Sequence, residues 1–131
     1  MYFEEITEKE EATLSDLQRV ILNCLYLSNY NGYVRERKLE KLNNRNEYFI
    51  MPFAFQVLGE YVVEILEVLE TQINENTIQN YQKFIKENPG YWQKTEKRIV
   101  SYWNEFYRRK NPKLKDYVGM KIINKLKQSV A

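Results

Sequence analysis

The chain has 131 residues, 44% hydrophobic and 15% aromatic, which is enough apolar material for one packed domain spanning 1–131. Four Gly and three Pro are fewer than the turns of a sheet-rich sandwich or barrel need, so an all-α fold is expected. With no His and a single Cys, zinc-finger sites, Ser-His-Asp or Cys-His nucleophiles and intramolecular disulfides are excluded, and neither catalysis nor a cofactor is expected.

Residues 1–12 hold five Glu and few apolar anchors, so this end is expected to be frayed. Its acids stand where a secretory signal would carry bases, and no apolar run approaches the ~18 residues of a membrane span. A soluble, cytoplasmic protein without membrane contact is therefore expected. Thr13 or Ser15 caps a first helix over about 14–28, whose face Leu17, Val20, Ile21, Cys24, Leu25 and Leu27 is broad enough to be well buried. Cys24 reads as a small buried hydrophobe. Asn29 to Gly32 form a turn, since Asn and Gly tolerate positive φ.

Tyr33, Val34, Lys38, Leu39 and Leu42 begin a short second helix. A third, capped by Asn46, runs through Phe49, Phe53, Phe55 and Leu58, and Pro52 requires it to start or kink there. Tyr61 to Ile73 is strongly amphipathic, and Glu60, Glu64, Glu67 and Glu70 share its other face at i, i+4, i+7 and i+10. Thr77 caps a fifth helix carrying Ile78, Tyr81, Phe84 and Ile85, which Asn88-Pro89-Gly90 ends. Residues 91–110 form a long sixth helix whose core face is Ile99, Trp103 and Phe106 with Tyr102. The last helix, 115–128, turns Tyr117, Val118, Ile122, Ile123 and Leu126 inward and Lys121, Lys125 and Lys127 outward. Seven helices joined by short turns describe antiparallel helix pairs.

Asn31-Gly32-Tyr33-Val34-Arg35 through Leu42 resembles the inter-helix turn and second helix of a HEAT repeat: Val34 and Arg35 match the Val-Arg pair, and Leu39 and Leu42 fill the packing positions. Lys38 stands where Ala is usual. A weaker copy covers Phe53 to Leu69, with Val62 28 positions after Val34 and Leu66 in place of the Arg. The resemblance, centred on residues 29–69, implies a short right-handed α-solenoid of antiparallel helix pairs. It also implies that Gly32, Val34 and Arg35 are structural, with Arg35 meeting an acidic or carbonyl group of the next repeat, one of the nearby Glu residues. The alternative fold is an irregular bundle containing a single Val-Arg turn.

The net charge of +2 hides a polarity, for residues 1–76 hold 14 acids and 7 bases whereas residues 77–131 hold 4 acids and 13 bases. Lys94, Lys97, Arg98, Arg108, Arg109, Lys113 and Lys121, interleaved with aromatics, are the candidate basic surface for nucleic acid. Glu60, Glu64, Glu67 and Glu70 are the candidate acidic face, read as solvated. A stack of helix pairs cannot bury its faces singly and offers an extended surface to partners. A protein-binding or scaffold module is accordingly the first functional reading, and a nucleic-acid-binding protein using the basic C-terminal half is the second. The opposed charges of the two halves also make a homodimer electrostatically sensible.

Overall fold

In the computed structural model, which describes residues 7–29, 31–43, 45–60 and 62–128, the chain is helical throughout, with no strand among those residues. Thr7 caps a single turn, α1 (Glu8–Glu11), within the stretch expected to fray, and residues 1–6 lie outside the described residues. Ser15 starts α2 (Asp16–Tyr26) with a capping box: its hydroxyl accepts from the Gln18 N–H and the Gln18 side chain accepts from the Ser15 N–H. Asn31 starts α3 (Gly32–Lys41), its side-chain oxygen accepting from the Tyr33 N–H at 2.9 Å. Gly32 is therefore the first helical residue and not a left-handed turn residue, and none of the four glycines has positive φ.

A 3₁₀ turn (Tyr48–Ile50) leads into α4 (Met51–Leu58), where Pro52 occupies the first turn, the position at which its missing N–H costs nothing. Asn46 caps nothing here; its carbonyl and side-chain oxygens accept from Asn80 Nδ2 instead. The following helices are α5 (Val63–Gln72), α6 (Ile78–Glu87), α7 (Pro89–Tyr102) and α8 (Val118–Gln128). Thr77 stands at the N-cap position of α6 as expected, but its hydroxyl is directed back to the Gln72 carbonyl at 2.7 Å and makes no capping hydrogen bond to the helix. The long sixth helix is not continuous. After Tyr102 it loosens into a π turn (Trp103–Tyr107), which delays the rotation of every later side chain. Phe106, assigned by α-helical spacing to the core, is 58% exposed for that reason, while Ile99 is buried and Tyr102 and Trp103 are half-buried.

α3 packs against α5 and α5 against α8, so these three follow one another as neighbours. α4 packs against α5, α6 and α7, and α8 also meets α6 and α7. Leu66, Leu69, Ile73, Ile122 and Leu126 are fully buried where these helices meet. Phe55 on α4 stacks on Phe84 at 4.5 Å between ring centres and meets Trp92 edge-on at 5.8 Å, tying α4 to α6 and α7. α2 packs chiefly on α3, leaving Leu17, Ile21 and Leu25 at 51%, 43% and 49% exposure, contrary to the buried face expected for all six apolar positions of this helix.

The start of α8 demands a glycine. A Cβ on Gly119 would lie 2.8 Å from Ile99 Cγ2 and 2.8 Å from Tyr117 Cε2, closer than carbon atoms pack. Both neighbours are buried and cannot swing away. Gly119→Ala gains helix propensity of up to about 1 kcal/mol but suffers overpacking of roughly 1–3 kcal/mol. A net loss of stability is expected, read as a lower urea midpoint at unchanged m-value.

Candidate interaction surface

Arg35 lies one turn inside α3, where its side chain reaches back past Gly32 to the preceding turn. Its Nη1 donates to the Asn29 carbonyl at 2.7 Å and its Nη2 to Glu60 Oε2 at 3.3 Å, with the two side chains 12% and 23% exposed. Glu60 belongs to the turn between α4 and α5, so this contact links the start of α3 to that turn. Burial pushes the Glu60 carboxyl above the usual range, and the Arg35 charge pulls it part of the way back. Of the four acids placed on one face, Glu60 is thus a structural partner of Arg35, while Glu64 and Glu67 are exposed on α5 and Glu70 is half-buried. Val34 is buried beside them.

Lys38, at the position where the repeat pattern has Ala, is 3% exposed and holds its ammonium 4.7 Å from the centre of the buried Tyr26 ring. Its long stem is thereby accommodated between α2 and α3.

α5 forms a ridge with a cavity on either side. Toward α3 lies a cavity of about 330 Å³ lined by Gly32, Tyr33, Glu36, Val62, Glu64 and Ile65 among others. Toward α8 lies one of about 450 Å³, in which Glu67, Glu70 and Asp116 face Lys110 and Lys121. Lys125 reinforces this side by donating to the Glu70 carbonyl at 3.3 Å. The α8 side of the ridge is therefore of mixed charge, whereas the lining of the α3 side carries carboxylates only. Tyr33 and Glu36 were not among the sequence candidates, since helical spacing assigned Tyr33 to the apolar set; it is 80% exposed.

The basic candidates are distributed over several elements. Lys94, Lys97 and Arg98 are exposed on α7, and the Arg98 guanidinium lies against Gly59, 3.1 Å from where a Cβ would be. Arg108 and Arg109 line a surface depression with Asn104, Glu105 and Phe106, just past the π turn, and Arg108 lies 5.7 Å from the Trp103 ring centre. Lys113 is exposed in the following loop, and Lys121 belongs to the cavity beside Glu67 and Glu70. Among the described residues, Lys94, Lys97, Arg98, Arg108, Arg109, Lys113 and Lys121 form no ion pair, whereas Lys127 pairs with Glu96 at 2.9 Å.

Cys24 is 1% exposed, and burial, reinforced by the Glu47 carboxylate, pushes its thiol up to about 12. Native protein at pH 8 is expected to resist iodoacetamide and to be alkylated at Cys24 only in denaturant, as mass spectrometry would record. Among the described residues no group of His, Cys, Asp and Glu is arranged to hold a metal ion, and no helix is long and apolar enough to cross a membrane. Comparison with protein-family models, with curated proteins and with solved structures finds no significant match to the chain.

Proposed function

We propose that this chain is a protein-binding module built on HEAT-like stacked helix pairs, and that the surface it offers is the α5 ridge with its flanking cavities. The observation that carries this reading is the succession α3, α5, α8 as packing neighbours, with Arg35 of the first pair bonded to Glu60 in the turn inside the next. In stacked pairs, successive second helices line one extended face, and the grooves between them receive partner side chains. In this assignment α2–α3, α4–α5 and α6 with α8 are the pairs, and α7 is an extra helix laid over α4. No nucleophile, metal cluster or cofactor site is needed for such a role.

The second reading is nucleic-acid binding through α7 and the residues after it, favoured by the exposed, unpaired Lys94, Lys97, Arg98, Arg108, Arg109 and Lys113. The two are separated by one pair of variants, Glu64→Lys/Glu67→Lys on the ridge and Lys94→Glu/Arg98→Glu on α7. Capture of proteins from a nuclease-treated extract that the ridge variant abolishes and the α7 variant leaves intact is the expected result. Anisotropy of labelled single- and double-stranded DNA and RNA at low salt is expected to show no binding. Salt-sensitive binding lost in the α7 variant would replace the protein-binding reading, because phosphate contacts are strongest at low salt.

A further inference from the structure

From the cavity between α3 and α5 we infer that this surface docks an arginine-bearing segment of a partner protein, one guanidinium entering between Tyr33 and the two carboxylates Glu36 and Glu64. The inference rests on the protein-binding reading and specifies the chemistry of the partner. Three observations carry it.

The first is charge. Glu36 and Glu64 line the cavity from opposite helices, and no base is among its lining residues. The two bases that flank Glu36 in the chain, Arg35 and Arg37, are not in that lining, and Arg35 is engaged by Glu60 and by the Asn29 carbonyl. A cation entering the space that both carboxylates line can pair with each of them. The matching cavity across the ridge differs in this respect, because Lys110 and Lys121 already face its acids.

The second is the aromatic ring. Tyr33 is 80% exposed, the most exposed large apolar side chain among the described residues, although it stands next to buried Val34. A ring held at the mouth of an anionic cavity gives a planar cation a face to stack on, and Arg exploits this more often than Lys. The third is shape and floor. At about 330 Å³, with Val62 and Ile65 in its lining, the cavity has room for one long side chain and apolar surface for its methylene stem. A bare metal ion would use neither the ring nor the apolar floor.

The test uses the full chain and labelled Gly-Ser peptides carrying four Arg, with norleucine in place of Arg as control, followed by anisotropy at about 50 and 150 mM salt. The expected result is saturable binding of the Arg peptide alone. Tyr33→Ala and Glu36→Gln/Glu64→Gln should each weaken it at least tenfold, whereas Glu67→Gln, across the ridge, should change it by less than twofold. These are exposed or half-exposed positions, and circular dichroism confirms that each variant stays helical. If Glu67→Gln weakens binding as much as the cavity variants, or Tyr33→Ala leaves it unchanged, general attraction to an acidic surface replaces the arginine cavity, and the protein-binding reading stands. Absence of any Arg-peptide binding overturns the inference outright. The protein-binding reading is then judged separately by the capture experiment with the ridge variant.

Discussion

Replacing Phe55 by Ala is expected to destabilise the protein by about 3–5 kcal/mol, the largest effect of any single truncation proposed for this chain. The ring is 1% exposed and touches three aromatic neighbours from two other helices: Phe84, Tyr81 at 5.6 Å between ring centres, and Trp92. Truncation removes the buried apolar area, the aromatic contacts and the filler of a space bounded by α4, α6 and α7. Large rigid rings from three helices cannot close over that space, so most of the cavity persists and its cost adds to the lost transfer energy. Phe106→Ala is the matched control. The same chemical change at a 58% exposed site is expected to alter stability by no more than about 0.5 kcal/mol. Urea denaturation of the two variants beside the wild type decides the matter, and similar losses in both would mean that the core is not organised around α4.

Arg35→Met should cost about 2–3 kcal/mol near neutral pH and less in mild acid. The substitution keeps an unbranched apolar stem but leaves the Asn29 carbonyl and the Glu60 carboxylate without their guanidinium. The sign of the pH effect follows from Glu60. Its carboxyl is already raised in the folded protein, chiefly by burial, and Arg35 is what lowers it. Losing Arg35 therefore raises it further. Between the ordinary carboxylate value and this raised one, the folded state holds a proton that the unfolded chain has released, so stability increases as pH falls through that window. Denaturation of Arg35→Met at pH 7.5 and pH 5 is expected to show a smaller deficit relative to wild type at pH 5. Adding Glu60→Gln should recover part of the loss at pH 7.5 by removing the stranded charge. A deficit that is equal at the two pH values and unmoved by Glu60→Gln would assign Arg35 a packing role alone.

These two residues also differ in how visible their roles were before the structure. Arg35 was marked by its place in a Val-Arg turn, and the expectation that it meets a nearby Glu is met by Glu60, a residue first noted only as one of four acids on a helix face. Periodicity placed Phe55 on an apolar face, but nothing local says that this face meets α6 and α7 together. The candidate surface divides the same way. The i, i+3 and i+4 spacing of Glu64, Glu67 and Glu70 is a property of the helix itself, but only the packing of α3 and α8 on either side of α5 divides them, Glu64 lining one cavity and Glu67 and Glu70 the other. Tyr33 and Glu36 became candidates only when α3 was set against α5, since the cavity they line is made by two segments separated by the whole of α4.

Helix content, a capped helix start at Thr13 or Ser15, the break at Pro52, the exclusion of His-dependent nucleophiles and intramolecular disulfides, and the charge polarity follow from the sequence by itself. Each depends on composition or on neighbours within one turn, where dihedral preference and side-chain spacing act without reference to the rest of the chain. The tertiary structure alone decided which apolar faces are covered. Leu17, Ile21 and Leu25 satisfy the same spacing rule as Val20 and Cys24, yet they stay exposed because α2 has its principal neighbour on one side only. Phe106 obeys the α-helical period and is still turned outward, because the π turn shifts its phase. Spacing specifies a face, whereas burial requires another element to arrive against it from a distant part of the chain, and that arrival is a property of the packed fold.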